Sequence, residues 1–179
     1  MNINFETIDL IIVLIVLAFI ITFLISYKRF SPWIPTDKKD WQRIFALAEF
    51  KDCDVFYDLG CGAGALVFEV NKRFGIKTVG IEVSLFMYLI CRIRQIFHPS
   101  ENLFFRRDNF FHVDLSEATV VYFFGIPTNL ENNELPEKLR KELKPGTRVI
   151  SYAFAIPGWT PTSIDRQSPD GVSIIIYKL

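Results

Sequence analysis

The sequence predicts an α/β fold in which a mostly parallel sheet carries helices on both faces, a C-terminal antiparallel hairpin extends one edge, and one transmembrane helix precedes the domain. Three observations lead to this prediction: an uncharged apolar run near the N-terminus, short apolar segments that alternate with amphipathic ones, and a Ser-Pro-Asp-Gly turn between the last two segments. The 179 residues suit one domain with an appendage, and a hydrophobic content of 50% excludes a disordered chain.

The N-terminal apolar run is long enough to cross a bilayer. Residues 10–27 are eighteen consecutive positions without a charge, and the two residues before them extend the segment to 8–27. At about 1.5 Å per helical residue, this segment matches the roughly 30 Å of a bilayer's hydrocarbon core. A cleaved signal peptide is the alternative, but the run follows an acidic start, with Glu6 and Asp9, and has no small-residue cleavage pattern. We therefore expect a retained transmembrane helix.

The charges on either side of the run predict its orientation. No Lys or Arg precedes it, whereas four basic residues follow it closely, namely Lys28, Arg29, Lys38 and Lys39. The positive-inside rule then places the rest of the chain in the cytoplasm. The sequence thus predicts a single-pass protein of the cell's inner, cytoplasmic membrane, with a proline-containing connector over 28–36 and a cytoplasmic domain over 37–179.

Within the domain, helix and strand signals alternate. Asp37 and Ser84 are suitable N-caps, Gly75 is a helix stop, and Pro136 is tolerated in a first helical turn. Such an alternation favours βαβ units around a parallel sheet. The predicted elements are helices over 37–51, 65–74, 84–97 and 135–143, strands over 54–58, 77–81, 102–106, 119–124 and 148–155, and a hairpin of strands over 160–167 and 172–177.

The net charge and the number of Cys and His residues argue against two classes of function, nucleic-acid binding and metal binding. Lys plus Arg and Asp plus Glu are 20 each, so the formal net charge is zero, which argues against a broad nucleic-acid-binding surface. Three cysteines without a CxxC spacing and two histidines do not make a metal centre, and free thiols in a reducing compartment are expected. We therefore expect no metal and no nucleic-acid partner.

A glycine-rich turn follows the first predicted strand, with the sequence Asp58-Leu59-Gly60-Cys61-Gly62-Ala63-Gly64. Glycines at this place let a ligand approach the backbone closely, although a plain turn between strand and helix is the alternative. A dinucleotide site has the pattern G-x-G-x-x-G, and here the third glycine comes one residue early. Asp58 would repel a pyrophosphate but suits a cationic amino group, which S-adenosylmethionine carries.

Two more acidic residues end neighbouring predicted strands. Glu82 lies 22 residues after Gly60, where a Rossmann-like sheet places the acid that accepts hydrogen bonds from ribose hydroxyls. Asp108 and Asn109 follow the third strand, where an acid can accept from an adenine amino group. An exposed surface glutamate and an Asx turn are the alternatives. Ligands of open α/β sheets bind at the carboxyl ends of the strands, so the three acids together predict a nucleoside site.

These residues resemble a class I S-adenosylmethionine-dependent methyltransferase. Three further segments, 33–36, 120–127 and 148–161, are similar, together with the N-terminal anchor, to the protein-lysine methyltransferase family that modifies the c-subunit of ATP synthase and the adenine nucleotide translocase. The chain departs from the family at residues 62–65, Gly-Ala-Gly-Ala, where the family has Gly-Asp-Gly-Arg. A proline that commonly follows the second-strand acid by three residues is Leu85 here.

The resemblance implies a role for each matching residue. It implies that the methionine end of S-adenosylmethionine is held by Asp58, Gly60, Gly62 and Gly64, the ribose by Glu82, and the adenine by Asp108 with Asn109. It further implies that the acceptor site is bordered by Trp33, Pro35, Thr36, Gly125, Ile126 and Pro127. The predicted activity is methylation of a lysine in a protein in or near the membrane.

The sequence is also compatible with two other activities. An anchored enzyme would also suit a lipid or quinone head group, and a membrane-tethered module that binds the cofactor without turnover is a further possibility. A lysine amine must lose its proton before it attacks a methyl group. Tyr122 and His112 are candidates for a general base, each with a purely structural or solvated role as the alternative.

Overall fold

The computed structural model describes residues 9–17, 20–21, 35–124, 130, 134–168 and 171–179. Seven strands form one sheet: β1 (Val55–Leu59), β2 (Lys77–Glu82), β3 (Leu103–Arg107), β4 (Val120–Phe123), β5 (Arg148–Tyr152), β6 (Ser163–Arg166) and β7 (Ser173–Lys178). The helices of the domain are α1 (Trp41–Ala48), α2 (Ala65–Phe74), α3 (Leu85–Phe97) and α4 (Glu134–Glu142), with 3₁₀ turns over Lys38–Asp40 and Phe110–His112.

The order of the strands across the sheet is β3-β2-β1-β4-β5-β7-β6. The first five strands pair in parallel, whereas β7 runs antiparallel to both β5 and β6. The predicted α/β fold with a mostly parallel sheet and a C-terminal hairpin is confirmed. Its parallel strands need crossover connections, and α2 and α3 supply them between the first three strands.

The local signals for helix ends are confirmed. The Asp37 carboxylate accepts a hydrogen bond from the N–H of Lys39, and the Ser84 hydroxyl accepts one from the N–H of Met87. Gly75 ends α2 in the left-handed conformation with φ 65°. These caps use short-range contacts, so the sequence alone predicted them.

Several predicted elements are shorter in the structure, among them the strands predicted over 119–124 and 160–167, and two others end at a residue with positive φ. The helix predicted over 37–51 begins as a 3₁₀ turn and ends where Glu49 adopts a left-handed conformation. The strand predicted over 148–155 ends at Tyr152, because Ala153 has φ 77° and turns the chain away from the sheet. Neither residue is a glycine, so the sequence carried no local signal for these ends.

Both faces of the sheet are covered. On one face the strands pack against α1, α2 and α3, with Ile44, Val67 and Cys91 fully buried. On the other face they pack against α4 and the segment that follows β3, with Leu139 and Leu115 fully buried. Apolar cover on both faces explains why the central strand β4, with the sequence Val-Val-Tyr-Phe, is a continuous apolar run whose residues are all buried.

The predicted transmembrane span extends beyond the described residues. Residues 9–17 and 20–21 are helical, and their described side chains are exposed. No helix among the described residues is both long and apolar enough to cross a membrane. Most of the connector predicted over 28–36 lies outside the described residues.

Candidate active site

A cavity of about 140 Å³ opens at the carboxyl ends of β1 and β4. The two strands are neighbours in the sheet, yet the chain leaves β1 towards β2 on one side and returns to β4 on the other. Ligands of open α/β sheets bind at such a switch point. Six predicted site residues line the cavity: Pro35, Thr36, Asp58, Gly60, Gly62 and Tyr122.

The register of the strands brings the polar side chains of the cavity together. Asp58 on β1 is the direct partner of Tyr122 on β4 and of Gly80 on β2. Side chains of paired residues point to the same face of a sheet, and residues two positions apart along a strand share a face. Asp58, Tyr122 and Glu82 therefore point to the face that is covered by α1, α2 and α3.

Asp58 presents a buried carboxyl group to the cavity. Only 4% of the residue is exposed, and no described residue donates a hydrogen bond to its carboxylate. Burial, with a smaller contribution from the negative charge of Glu82, raises the pKa of Asp58 to about 8. A carboxylate in this state is stabilised by a cation, because a positive charge nearby favours its ionised form.

The glycine-rich turn brings backbone to the mouth of the cavity. Gly60, Gly62 and Gly64 have φ of 88°, 55° and 73°, a region that side chains with a Cβ rarely adopt. The N–H groups of Gly60 and Cys61 both donate to the carbonyl of Ile81 on β2. The turn is thereby fastened to the neighbouring strand, and its glycines leave room for a ligand.

Gly64 has a packing role in the turn. A Cβ at this position would lie 2.7 Å from a ring carbon of Phe105 on β3 and 3.1 Å from the Cys91 sulfur on α3. Gly64 does not line the cavity. Its predicted place at the methionine end of the cofactor therefore stays a prediction, while its contact with Phe105 is a second reason for a glycine here.

Side chains of helix α3 donate hydrogen bonds to the glycine-rich turn. The Cys91 thiol donates to the carbonyl of Gly62 at 3.2 Å, and the Arg94 guanidinium donates to the carbonyl of Ala63 at 2.5 Å. The three cysteines are free thiols, as the sequence predicted. A hydrogen bond that the Cys61 thiol donates to the Cys91 sulfur, together with burial, raises the pKa of Cys61, so Cys61 remains protonated beside the cavity.

Glu82 is the last residue of β2, and its carboxylate accepts a hydrogen bond from the glycine-rich turn. Its Oε2 accepts from the N–H of Gly62 at 2.9 Å, and its Oε1 accepts from the N–H of Ser84 at 2.7 Å. Burial raises the pKa of Glu82, and the backbone donors oppose that rise. Glu82 lies outside the cavity lining. Each oxygen keeps a second lone pair, so its predicted contact with a ribose stays a prediction.

Asp108 and Asn109 follow β3, away from the cavity lining. The Asp108 carboxylate pairs with the Arg106 guanidinium through two hydrogen bonds of 2.9 and 3.0 Å. The Asn109 side chain accepts from the N–H of Phe111 and caps the 3₁₀ turn over Phe110–His112. The structure shows the Asx turn that was the alternative at this place, and the predicted adenine contacts remain predictions.

The part of the cavity wall formed by β4 carries the candidate base Tyr122, beside Asp58. Its hydroxyl lies 2.6 Å from the hydroxyl of Thr36, a predicted acceptor-site residue 86 positions earlier in the chain. Burial, reinforced by the charge of Asp58, raises the pKa of Tyr122 well above its usual value. The phenol is therefore protonated at neutral pH and can donate or accept a hydrogen bond.

The other candidate base lies elsewhere. His112 is exposed at the end of the 3₁₀ turn after β3 and does not line the cavity. Trp33, Gly125, Ile126 and Pro127, which were predicted to border the acceptor site, lie outside the described residues.

Trp41 is a cavity residue that the sequence analysis did not single out and that lies within the helix predicted over 37–51. It opens α1, and its indole N–H is buried without an acceptor among the described residues. A buried unpaired donor costs about 1–3 kcal/mol, so a bound acceptor group would relieve that cost. Phe124, directly after β4, is a second apolar wall residue. No short sequence pattern distinguishes either of them from core aromatics.

A buried ionic cluster fixes the start of α1. Asp40 is 1% exposed and accepts hydrogen bonds from Arg43 at 2.7 Å and from the hydroxyl of Tyr152 at 2.6 Å. Arg43 also donates to Asp165 on β6 at 2.9 Å. The cluster ties α1 to two strands, and Trp41 follows Asp40 directly, so its indole is held against the cavity.

The chemistry of this cavity fits S-adenosylmethionine. Asp58 offers a carboxylate without a donor for the amino group of the methionine end, and Trp41 offers an N–H without an acceptor. The glycine-rich turn between them leaves its backbone accessible.

Comparisons with known proteins agree with this fit. The family model described as the ANTKMT methyltransferase domain matches residues 58–163. A protein-lysine N-methyltransferase of Saccharolobus islandicus (strain REY15A) is 38% identical over an alignment of 159 positions that covers 85% of this chain and 94% of that protein. The human lysine N-methyltransferase of the ATP synthase c-subunit is 26% identical over 144 residues, 79% of this chain and 59% of that protein.

A solved structure supports the same assignment. The crystal structure of an RNA methyltransferase from Salinibacter ruber in complex with S-adenosyl-L-homocysteine is 30% identical, with a TM-score of 0.74 over 81% of this chain and 93% of that one. The chain therefore belongs to the ANTKMT methyltransferase domain family and is an S-adenosylmethionine-dependent methyltransferase.

Proposed function

We propose that this protein methylates the ε-amine of a lysine in a membrane or membrane-associated protein. We further propose that segment 8–27 anchors it as a single-pass protein of the inner, cytoplasmic membrane with its domain in the cytoplasm. The observation that carries the lysine acceptor is the 38% identity to a protein-lysine N-methyltransferase over 94% of that relative. The anchor rests on the eighteen uncharged residues at 10–27 and on the basic residues that follow them.

The cavity residues suit methyl transfer to an amine. When bound, S-adenosylmethionine supplies a methyl group that its sulfonium charge has already activated. Asp58 holds a cationic group at the end of β1, and the apolar walls formed by Trp41 and Phe124 exclude water. A lysine side chain that packs against these apolar walls loses hydration, which lowers the pKa of its amine. The neutral form, which attacks the methyl group, is then more populated. The proton of the amine would leave to solvent, and the cofactor, after its bond to the methyl group breaks, would remain as S-adenosylhomocysteine.

Tyr122 acts as an orienting group in this proposal. Its raised pKa keeps the phenol protonated, so it does not serve as a phenolate base at neutral pH. Its oxygen can accept a hydrogen bond from the incoming amine while Thr36 fixes the ring. Positioning of the nucleophile accounts for most of the rate enhancement in a reaction of this type.

The anchor favours acceptors that share the membrane, because tethering raises their effective concentration. A lipid or quinone head group shares the same membrane and is the second candidate acceptor. The Salinibacter ruber structure belongs to an RNA methyltransferase. A formal net charge of zero disfavours RNA here, because nucleic-acid surfaces are rich in Lys and Arg.

One labelling experiment separates these acceptors. Cognate membranes are incubated with the full chain and S-adenosylmethionine that carries a tritiated methyl group. We expect label in protein, and mass spectrometry should find the increment of one to three methyl groups on a lysine-containing peptide. Asp58→Asn should strongly reduce labelling when the cofactor is limiting, while Asp52→Asn, at an exposed aspartate outside the cavity, should preserve it. Label only in extractable lipid or quinone would refute the lysine acceptor.

The proposed topology has its own test. A protease added to intact cells should leave the domain after residue 28 uncut, and permeabilised cells should lose it. Digestion of the domain in intact cells would refute the cytoplasmic orientation.

A further inference from the structure

Helix α3 exposes an apolar face. Six of its large apolar side chains remain exposed in the folded chain: Phe86 at 43%, and the five residues Leu85 at 42%, Leu89 at 47%, Ile93 at 56%, and Ile96 and Phe97 at 75% each. We call these five residues the α3 face. Soluble monomers seldom expose a contiguous apolar patch of this kind, and larger patches mark interaction sites.

The five residues lie on one side of the helix. Leu85, Leu89 and Ile93 are spaced by four residues, and Ile96 and Phe97 continue the same row one turn later. The opposite side of α3 faces the sheet, where Cys91 is fully buried against the glycine-rich turn. A helix that covers a sheet normally has a polar outer side, whereas the outer side of α3 is apolar.

The charges on α3 are all positive. The helix contains no Asp or Glu, and its two charged residues are Arg92 and Arg94. Arg94 donates to the carbonyl of Ala63, whereas Arg92 is exposed and makes no ion pair with any described residue. An exposed apolar face with a free cation beside it is the pattern of helices that lie in a membrane interface with anionic lipids.

We infer that the α3 face docks on a lipid bilayer that carries anionic head groups. The inference goes beyond the proposed function, because it holds whatever molecule accepts the methyl group. Two observations favour lipid as the occupant. Arg92 complements anionic head groups, and the apolar segment that precedes the domain is itself long enough to enter a bilayer.

A second copy of the chain and the N-terminal segment are weaker occupants. A twofold interface through α3 would bring two Arg92 side chains together, and the helix supplies no acid to pair with them. The described residues of the N-terminal helix leave the α3 face exposed, and their own apolar side chains are exposed as well.

Docking through α3 would set the position of the active site relative to the membrane. The helix begins directly after Glu82 and Ser84, at the same edge of the sheet as the cavity, so Leu85 and Leu89 belong to that edge. The bilayer would then hold the cavity edge of the domain near its surface, where lysines of membrane proteins emerge.

A depth measurement on the full chain tests the inference. In a Cys53→Ser background, Ile96→Cys and Ile164→Cys are each labelled with the environment-sensitive fluorophore NBD, and the parent protein provides the background from the remaining thiols. Ile164 is the matched control, because it is an isoleucine 57% exposed on β6. The proteins are reconstituted into vesicles of phosphatidylcholine and phosphatidylglycerol that contain a nitroxide-labelled lipid quencher.

We expect the label at residue 96 to shift to the blue and to be quenched several-fold more than the label at residue 164. Adding Leu89→Glu and Ile93→Glu should reduce its quenching to the level of residue 164, and vesicles of phosphatidylcholine alone should weaken it. Equal quenching at both positions would refute docking. A blue shift without lipid quenching would also refute it, since a protein surface would then cover the face.

A third label separates docking from anchoring. Ile15→Cys reports whether the N-terminal segment enters the bilayer. If residue 15 is quenched and residue 96 is not, the anchor stands and docking is wrong. If residue 96 is quenched and residue 15 is not, docking stands and the anchor is wrong. If neither is quenched, both are wrong.

Discussion

Asp58 and Glu82 are two buried carboxylates at the ends of neighbouring strands, and they differ in their hydrogen bonds. Both oxygens of Glu82 accept from backbone N–H groups, while no described residue donates to Asp58. Burial raises the pKa of Asp58 to about 8, and it also raises the pKa of Glu82, where the backbone donors oppose the rise. Glu82 therefore supports the fold of the turn, and Asp58 remains available to a cationic ligand.

The comparison predicts that removing the charge of Asp58 harms binding more than folding. Asp58→Asn should weaken S-adenosylmethionine binding by about 1.5–3 kcal/mol, or roughly 10–100-fold, the range for hydrogen bonds to a charged group. The free energy of unfolding without cofactor should not fall, because an amide avoids the desolvation of a buried acid. Calorimetric titration and denaturant unfolding measure the two effects. An unchanged affinity would remove Asp58 from the site.

Removing the Glu82 side chain should lower the stability of the protein even in the absence of cofactor, unlike removing the charge of Asp58. Glu82→Ala leaves the N–H groups of Gly62 and Ser84 without their acceptor, which should lower the free energy of unfolding by about 1–3 kcal/mol. Asp58→Ala is the matched control and should lower it less, since no described hydrogen bond is lost. Equal losses in urea unfolding would show that the two carboxylates do not differ in structural role.

A substitution of Gly64 tests whether packing against Phe105 also stabilises the turn. Gly64→Ala should destabilise the protein by about 1–3 kcal/mol more than Gly75→Ala, because its Cβ would lie 2.7 Å from the Phe105 ring. Both glycines have positive φ, 73° and 65°, but a Cβ at Gly75 meets nothing within 4 Å. The difference between the two variants thus isolates packing from backbone strain. Equal unfolding midpoints would contradict it.

The pKa of Asp58 predicts a pH dependence that Asp58→Asn should lack. Because the folded pKa of about 8 lies above the ordinary 3.8, the unfolded chain loses this proton first as the pH rises. The stability contribution of Asp58 is then present below about pH 4 and is lost towards pH 8, by up to about 1.4 kcal/mol per pH unit. Binding of a cation needs the carboxylate, so cofactor affinity should instead improve from pH 6 to 8. Parallel pH profiles for both proteins would contradict this assignment.

The smallest expected effect is at Tyr122, the partner of Asp58 on the neighbouring strand. Tyr122→Phe removes the hydrogen bond to Thr36 and should cost about 0.5–1.5 kcal/mol of stability. Thr36→Val removes the same bond from the other side, so the double variant should cost less than the sum of the single ones. Thermal unfolding of the four proteins provides the cycle. Additive losses would show that the two hydroxyls act independently.

Part of this site was predictable because it depends on local order along the chain. The turn after β1, the caps at Asp37 and Ser84, and the acid at the end of β2 are each defined within a few residues. Trp41 was not predictable as a cavity residue, because its place depends on the contacts of Asp40 with Arg43 and Tyr152. The exposure of the α3 face was equally hidden, since helical spacing of apolar residues normally indicates a buried side.

The sequence by itself determined the fold class, the order of strands and helices, and the glycine-rich turn with its acid, because these follow from periodicity and from residues near one another in the chain. It also supplied the apolar segment at 10–27. Only the tertiary structure decided that Glu82 is bonded to the turn while Asp58 is left without a donor. That difference depends on which backbone N–H groups a folded neighbour presents: they oppose the rise that burial causes in the pKa of Glu82, and nothing described opposes it at Asp58.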